Sequence, residues 1–302
     1  MKKLSVLFLL VLLLFAQTPS NAELFAKQKE RIQQNKIYKN TISDLKDIIN
    51  KQNNFANQRN YDDLNKLYSK DFISSDGFDK EVYFKLIKET WETYPDITYK
   101  TKINNIEYTD NYATAFVTET AYATSNEEFG DFQTVGELYS TSNCVYHLEK
   151  RGNNWLVISE KIIDETSALK YGEARYINIE LNAPKQIGAN KYYTTTLKVD
   201  APKDAHTVAS ISKENIVYPQ VKSEDAFRRL ANDNILERVF LANKENVNEY
   251  AIASVGITHI QDFDVNKVKV YMSGLAFVMT RVNIVPENKF IDREKVKDGE
   301  NK

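Results

Sequence analysis

Cysteine is nearly absent from this 302-residue chain: Cys144 stands alone, so no intramolecular disulfide can form. Small exported domains rely on such bridges when their cores are thin; this chain must hold itself by packing. Glycine and proline are also scarce, at 9 and 6 residues. That excludes collagen-like sequence, and no glycine-rich phosphate loop is present. The three histidines, His147, His206 and His259, lie far apart. None has a His, Cys or carboxylate neighbour at metal-ligand spacing, so no metal site and no cofactor are expected. A formal net charge of −2 denies the chain the long-range field that gathers nucleic acid or anionic lipid. Long apolar runs are missing after the first few residues. The longest later stretch, Gly274 to Val285, contains Thr280, Arg281 and Asn283 and reads as a strand.

What is present begins at the first residues. Met1 is followed by Lys2 and Lys3, by an apolar run from Leu4 to Ala16, and by the small-residue exit Ser20-Asn21-Ala22. A basic start, a short apolar core and such an exit form a secretory signal, with cleavage expected after Ala22. As a helix the run spans about 20 Å, short of the roughly 30 Å of a bilayer core. A retained signal anchor is the alternative. The expected location is periplasmic or secreted, with no transmembrane segment in the mature chain.

The remaining length suits two domains of about 100–200 residues each. Residues 23–37 are polar and charged and read as a spacer helix. Ile42, Leu45, Ile48, Ile49 and Phe55 then recur at threes and fours, after Thr41 or Ser43 as a cap. Tyr61, Leu64, Leu67 and Tyr68 predict a second short helix, and Val82, Tyr83, Leu86, Ile87 and Trp91 a third, ended at Tyr94-Pro95. Beyond Pro95 the period changes to two. Ile97–Tyr108, Tyr112–Thr124, Gly136–Lys150 and Trp155–Ile163 predict four long antiparallel strands, with turns at Asp110-Asn111 and Arg151-Gly152-Asn153-Asn154.

The segments Tyr61-Asp62-Asp63-Leu64, Leu67-Tyr68, Asp110 to Ala115 and His147 to Ile158 together resemble the SnoaL-like and nuclear-transport-factor-two-like superfamily. The resemblance covers residues 38–166. It implies a cone-shaped domain with a pocket between helices and sheet. It also implies that a homodimer through the open sheet face is one available assembly. Some relatives are isomerases, cyclases or dehydratases with an Asp or His base and a tyrosine or protonated acid. Here Ser159 and Lys161 stand where a histidine commonly follows the tryptophan strand, which weighs against that chemistry.

Ser167 to Glu173 reads as a polar bridge. Arg175–Asn182, Tyr192–Val199, Thr207–Ile211, Asn215–Tyr218, Ile235–Leu241, Glu249–Ile257, Lys267–Met272 and Gly274–Val285 predict short strands, with a helical insert over Ser223–Ala231. Strand count alone suggests an immunoglobulin-like sandwich over residues 175–288. The charged tail, 289–302, reads as disordered. The expected fold class is therefore α+β: an N-terminal cone-shaped domain of three helices on a curved antiparallel sheet, then an all-β immunoglobulin-like sandwich.

Aromatic residues concentrate near the expected pocket. Tyr68, Trp91, Tyr99, Tyr139 and Tyr146 are the candidate ligand-binding residues, weighed against their use as core with a wet hydroxyl. No catalytic residue is assigned; Asp71 or His147 with a pocket tyrosine is the rival enzymatic arrangement. Cys144 reads as a buried small apolar residue, and the loop Asn126–Phe132 as a solvated hairpin tip rather than a calcium site. The function expected is a non-catalytic binding or interaction protein of the bacterial envelope. Its partner is a small apolar or aromatic ligand, an envelope protein or a second copy of the chain; nucleic acid is not expected.

Overall fold

The computed structural model describes residues 21–125, 135–221, 226–231, 233–264 and 267–286. Residues 1–20 of the expected signal, the loop Asn126–Phe132 and the tail 289–302 thus lie outside the described residues. Up to Ile48 the chain belongs to one compact unit, and from Ile49 onward to another.

Helix α1 spans Asn21–Asn57 without a break. The expected spacer and first helix are one element, because no glycine or proline interrupts them. Phe25, Ile32, Ile37 and Tyr38 on it are exposed, while Leu45 and Ile49 are buried.

In the larger unit, α2 (Tyr61–Lys66) starts at Asn60, whose side chain accepts from the Asp63 amide at 3.2 Å. It ends before Leu67, and Tyr68 already belongs to strand β1 (Tyr68–Ser74). Tyr68 thus sits on a strand that helical spacing does not reveal. α3 (Lys80–Thr93) is capped by Asp79, which accepts from the Val82 amide at 2.9 Å. Between β1 and α3, Gly77 takes φ +84°, a conformation glycine adopts freely.

β2 (Thr98–Tyr108), β3 (Tyr112–Ser125), β4 (Gly136–Arg151) and β5 (Asn154–Gly172) form the expected antiparallel meander. Alternation sets its buried face: Ala113, Ala115 and Val117 on β3 oppose Leu148, Tyr146 and Cys144 on β4. β1 adds in parallel to β5.

β5 runs through the expected bridge at Ser167–Glu173 as far as Gly172. Those residues pair instead with β13 (Lys267–Val285), from Thr166↔Thr280 to Gly172↔Gly274. Gly274 is needed there, since a Cβ would lie 2.6 Å from the Ala174 backbone nitrogen. A 3-10 turn at Glu173–Tyr176 then leads to β6 (Ile179–Asn182), β7 (Gln186–Gly188), β8 (Tyr192–Val199) and β9 (Ala205–Asn215). β10 (Arg228–Arg229), β11 (Ile235–Leu241) and β12 (Glu249–Asp264) follow, and β13 is one strand rather than two.

The result is mostly β, with few helices. One ten-stranded sheet runs β10-β9-β12-β13-β5-β4-β3-β2, with β1 and β7 attached; β11-β8-β6 form a second sheet of three strands. Leu197 and Val199 of the small sheet share a core with Ile211, Ala251, Ala253, Val255 and Ala276 of the large one. Two sheets therefore do face each other in the second half, but one of them continues into the meander. An immunoglobulin-like sandwich is not shown. The expected helix over 223–231 is corrected in its described part: Arg228 and Arg229 pair with Ala209 and Val208, and Leu230 donates to the Thr207 carbonyl at 2.9 Å. The three-residue spacing of Phe227 and Leu230 misled because pairing with β9 overrides local periodicity.

Candidate functional site

Register places an unusual set of side chains on the buried face of the meander. Ala115 of β3 opposes Tyr146 of β4, which opposes Glu160 of β5; Val117 opposes Cys144, which opposes Ile162. Glu119 follows Val117 two residues on, in the same facing. The Tyr146 hydroxyl donates to Glu119 at 3.0 Å and the Thr101 hydroxyl approaches at 3.4 Å.

Burial governs the charge of these groups. Glu160 is 6% exposed, and loss of water first, then the Glu119 carboxylate, push its pKa up to about 8, against hydrogen bonding from Tyr83. Glu119 is raised by the same removal from water, opposed by its bonds from Tyr146 and Thr101. Glu119 is half-buried and lines a cavity. Burial pushes the Cys144 thiol far up, which makes it a poor nucleophile. Ligand atoms of Glu119, Cys144 and Glu160 lie within 4.8 Å of one another. All three are held toward their protonated forms, so a cation could bind only by driving protons off first.

Two cavities open beside this face. The larger, about 580 Å³, lies between β1, α3, β5 and the segment Ile216–Gln220, with Asp76, Tyr83, Thr90, Glu160 and Tyr250 among its polar lining. Tyr218 fastens that segment to α3: its hydroxyl donates to Glu89 at 3.0 Å, and the Lys85 ammonium lies 5.0 Å from its ring centre. Tyr250 donates to Glu165 at 2.8 Å. The smaller cavity, about 120 Å³, is lined by Gln52, Leu64, Tyr68, Trp91, Thr101, Glu119 and Tyr146 among others. Tyr83, Ile87 and Tyr99 line both.

Four of the five aromatic residues singled out from the sequence therefore meet at one place: Tyr68, Trp91, Tyr99 and Tyr146. Tyr139 does not join them. It is 43% exposed, packs on Tyr122 with ring centres 5.0 Å apart, and lines a separate cleft of about 240 Å³ with Thr166, Ile179 and Val278. Alternation explains the split, because Tyr139 has the opposite facing from Tyr146. The rival bases lie outside both cavities: Asp71 pairs with Arg151 at 3.2 Å, and His147 meets the Thr114 hydroxyl at 3.3 Å. His259 does have a carboxylate partner, Glu173 at 2.7 Å, which sequence spacing hides.

Sequence reasoning missed Glu119, Glu160, Tyr83 and Tyr250. For Glu119 a signal existed: it continues the inward register of Ala113, Ala115 and Val117. For Glu160 the register was obscured by irregularities in the β4–β5 pairing on either side of it, between Asn143 and Cys144 and between His147 and Leu148.

No family model matches the chain. No curated protein matches it. Among solved structures it is similar to a putative scytalone dehydratase from Novosphingobium aromaticivorans, at 12% identity over 40% of this chain and 82% of that one, with a TM-score of 0.34. It is likewise similar to a type 2 hexachlorocyclohexane dehydrochlorinase, LinA, at 12% identity, 40% and 83% coverage and a TM-score of 0.34. Bd1075 of Bdellovibrio bacteriovorus is similar at 11% identity over 40% of this chain and 39% of its own length, with a TM-score of 0.33. At these identities and scores the likeness assigns neither activity nor ligand. Among the described residues, no helix is long and apolar enough to cross a membrane.

Proposed function

We propose that this protein is an exported, non-catalytic binding protein of the bacterial envelope that holds a small, neutral, largely apolar molecule in its larger cavity. The observation that supports this reading is the cavity itself. Its volume of about 580 Å³ falls in the range of ligand pockets, roughly 300–1,000 Å³. Phe78, Leu86, Ile87, Ile162 and Ile216 supply apolar wall. Against it stands Glu160, neutral for the most part below pH about 8 and so able to donate one hydrogen bond. The Tyr83 hydroxyl adds a second polar group on the same wall. A carbonyl or hydroxyl oxygen on an apolar body fits this pairing; a carboxylate ligand does not. The basic start, apolar run and Ser20-Asn21-Ala22 exit support export.

The test uses N-phenyl-1-naphthylamine, a neutral probe whose fluorescence rises in apolar sites. The mature protein should give a saturable rise, and Leu86→Trp, which adds bulk to the cavity wall, should weaken it several-fold while the melting temperature holds. No saturable rise in the native protein refutes the reading.

A second reading is favoured by one observation. A carboxyl near pH 8 beside a tyrosine is matched to general acid work on a carbonyl compound at neutral pH. It requires proton exchange next to the carbonyl of a bound ketone, Glu160 donating to the carbonyl oxygen while solvent water takes the carbon-bound proton, seen by deuterium uptake and lost in Glu160→Gln.

A further inference from the structure

The smaller cavity differs from the larger in one respect: it carries unspent hydrogen-bonding capacity. Gln52 is 8% exposed, and its Oε1 has no hydrogen-bond partner among the described residues. The Trp91 indole N–H is buried in the same way. The Tyr99 hydroxyl lies near it but does not complete a hydrogen bond of acceptable geometry. Both residues line this cavity. Their neighbours are otherwise engaged: Thr101 reaches Asn53 at 3.3 Å, and Tyr146 is spent on Glu119. Buried polar atoms are rarely left single. Among the fully buried side-chain atoms of the described lining, one acceptor and one donor are thus left over beside a space of about 120 Å³. That is somewhat less than an apolar cavity of about 150 Å³ able to hold benzene.

We infer that this cavity is a recognition chamber for a small neutral group that both donates and accepts a hydrogen bond, a primary carboxamide in its simplest form. The inference rests on the reading of this region as a ligand site, and it names the chemistry that reading leaves open. The amide N–H₂ answers Gln52 Oε1, the amide C=O answers Trp91 Nε1–H, and Leu64 and Ile87 supply apolar cover for a short alkyl stem. A charged group is disfavoured. The described lining holds no Lys, Arg or His to meet an anion, and burial raises the pKa of Glu119, so an ion would give up water there with little in return.

The probe is isobutyramide, compared with 3-methylbutan-2-one, in which a methyl replaces the amide nitrogen and the donor is lost. The chain has two tryptophans, so its nitrogen–proton correlation spectrum holds two indole signals, and Trp155→Phe assigns them. Isobutyramide should shift the Trp91 indole proton downfield and saturably, with the ketone binding about tenfold more weakly. Gln52→Met should erase that preference. Equal binding of amide and ketone, or a preference untouched by Gln52→Met, overturns the inference. Where Gln52→Met does not fold, the amide–ketone comparison on the native protein decides alone. N-phenyl-1-naphthylamine is titrated into the same sample. If it binds while the amide shows no preference, the head-group inference falls and the larger cavity's role stands. If it does not bind, that role falls, and the amide result judges the smaller cavity by itself.

Discussion

Arg281 on β13 donates to the carboxylate of Asp76, in the turn after β1, across 205 positions of sequence, and its side chain is entirely buried. Asn248 donates to the same oxygen at 2.7 Å, and Asn283 orients the guanidinium through its Nε at 2.8 Å. Arg281 Nη1 has no partner among the described residues, so the pair is already imperfectly compensated.

Breaking one side of a buried pair strands the other charge, at a cost of about 3–5 kcal/mol. Asp76→Ala should lose stability of about that size in urea unfolding. Asp76→Ala combined with Arg281→Met should recover much of it, because no lone charge remains. A single substitution that changes stability by well under about 1 kcal/mol would show that water reaches the arginine.

Glu160 predicts how stability varies with pH. Its folded pKa is raised, chiefly by burial, from 4.5 to about 8. Between those values the folded protein keeps a proton that the unfolded chain releases, so stability falls as pH rises. The contribution is complete below about 4.5 and is lost progressively as pH climbs through about 8. Melting temperatures from pH 5 to 9 should fall in the native protein and fall less in Glu160→Gln. Glu119 and Glu165 are raised in the same direction, so the variant keeps some slope. A native curve that is flat or rises over this window contradicts the assignment.

Much of this architecture is legible in local periodicity. The change from three-and-four spacing to alternation at Pro95 marks the end of α3 and the start of the meander, and Tyr68, Trp91, Tyr99 and Tyr146 do converge. What local pattern cannot carry is pairing between distant strands. Ser167, Lys170 and Gly172 look like a polar linker because their cover comes from β13, about a hundred positions on. Tyr139 looks equivalent to Tyr146 until register assigns them opposite faces. The acidic residues escaped notice because their interest lies in burial, and burial depends on those same long-range pairings.

Those pairings also predict how the chain unfolds. A division near residue 170 would let residues 38–166 fold alone after removal of 175–288. The pairing argues otherwise. Removing β13 uncovers the β5 edge from Thr166 to Gly172. The same cut takes away Arg281 and Asn248 from Asp76, Tyr250 from Glu165, and Tyr218 from Glu89. Each of those acceptors is a carboxylate, and Asp76 and Glu165 are largely shielded from water, so the loss leaves charge without its donors. A bare strand edge beside it invites pairing between copies. The full-length mature protein should therefore melt in one calorimetric transition from Ile49 onward, and a chain ending at Glu173 should aggregate or show weak amide-exchange protection in β4 and β5. A soluble truncated chain with native-like protection in both strands would show that the meander holds itself together without β13.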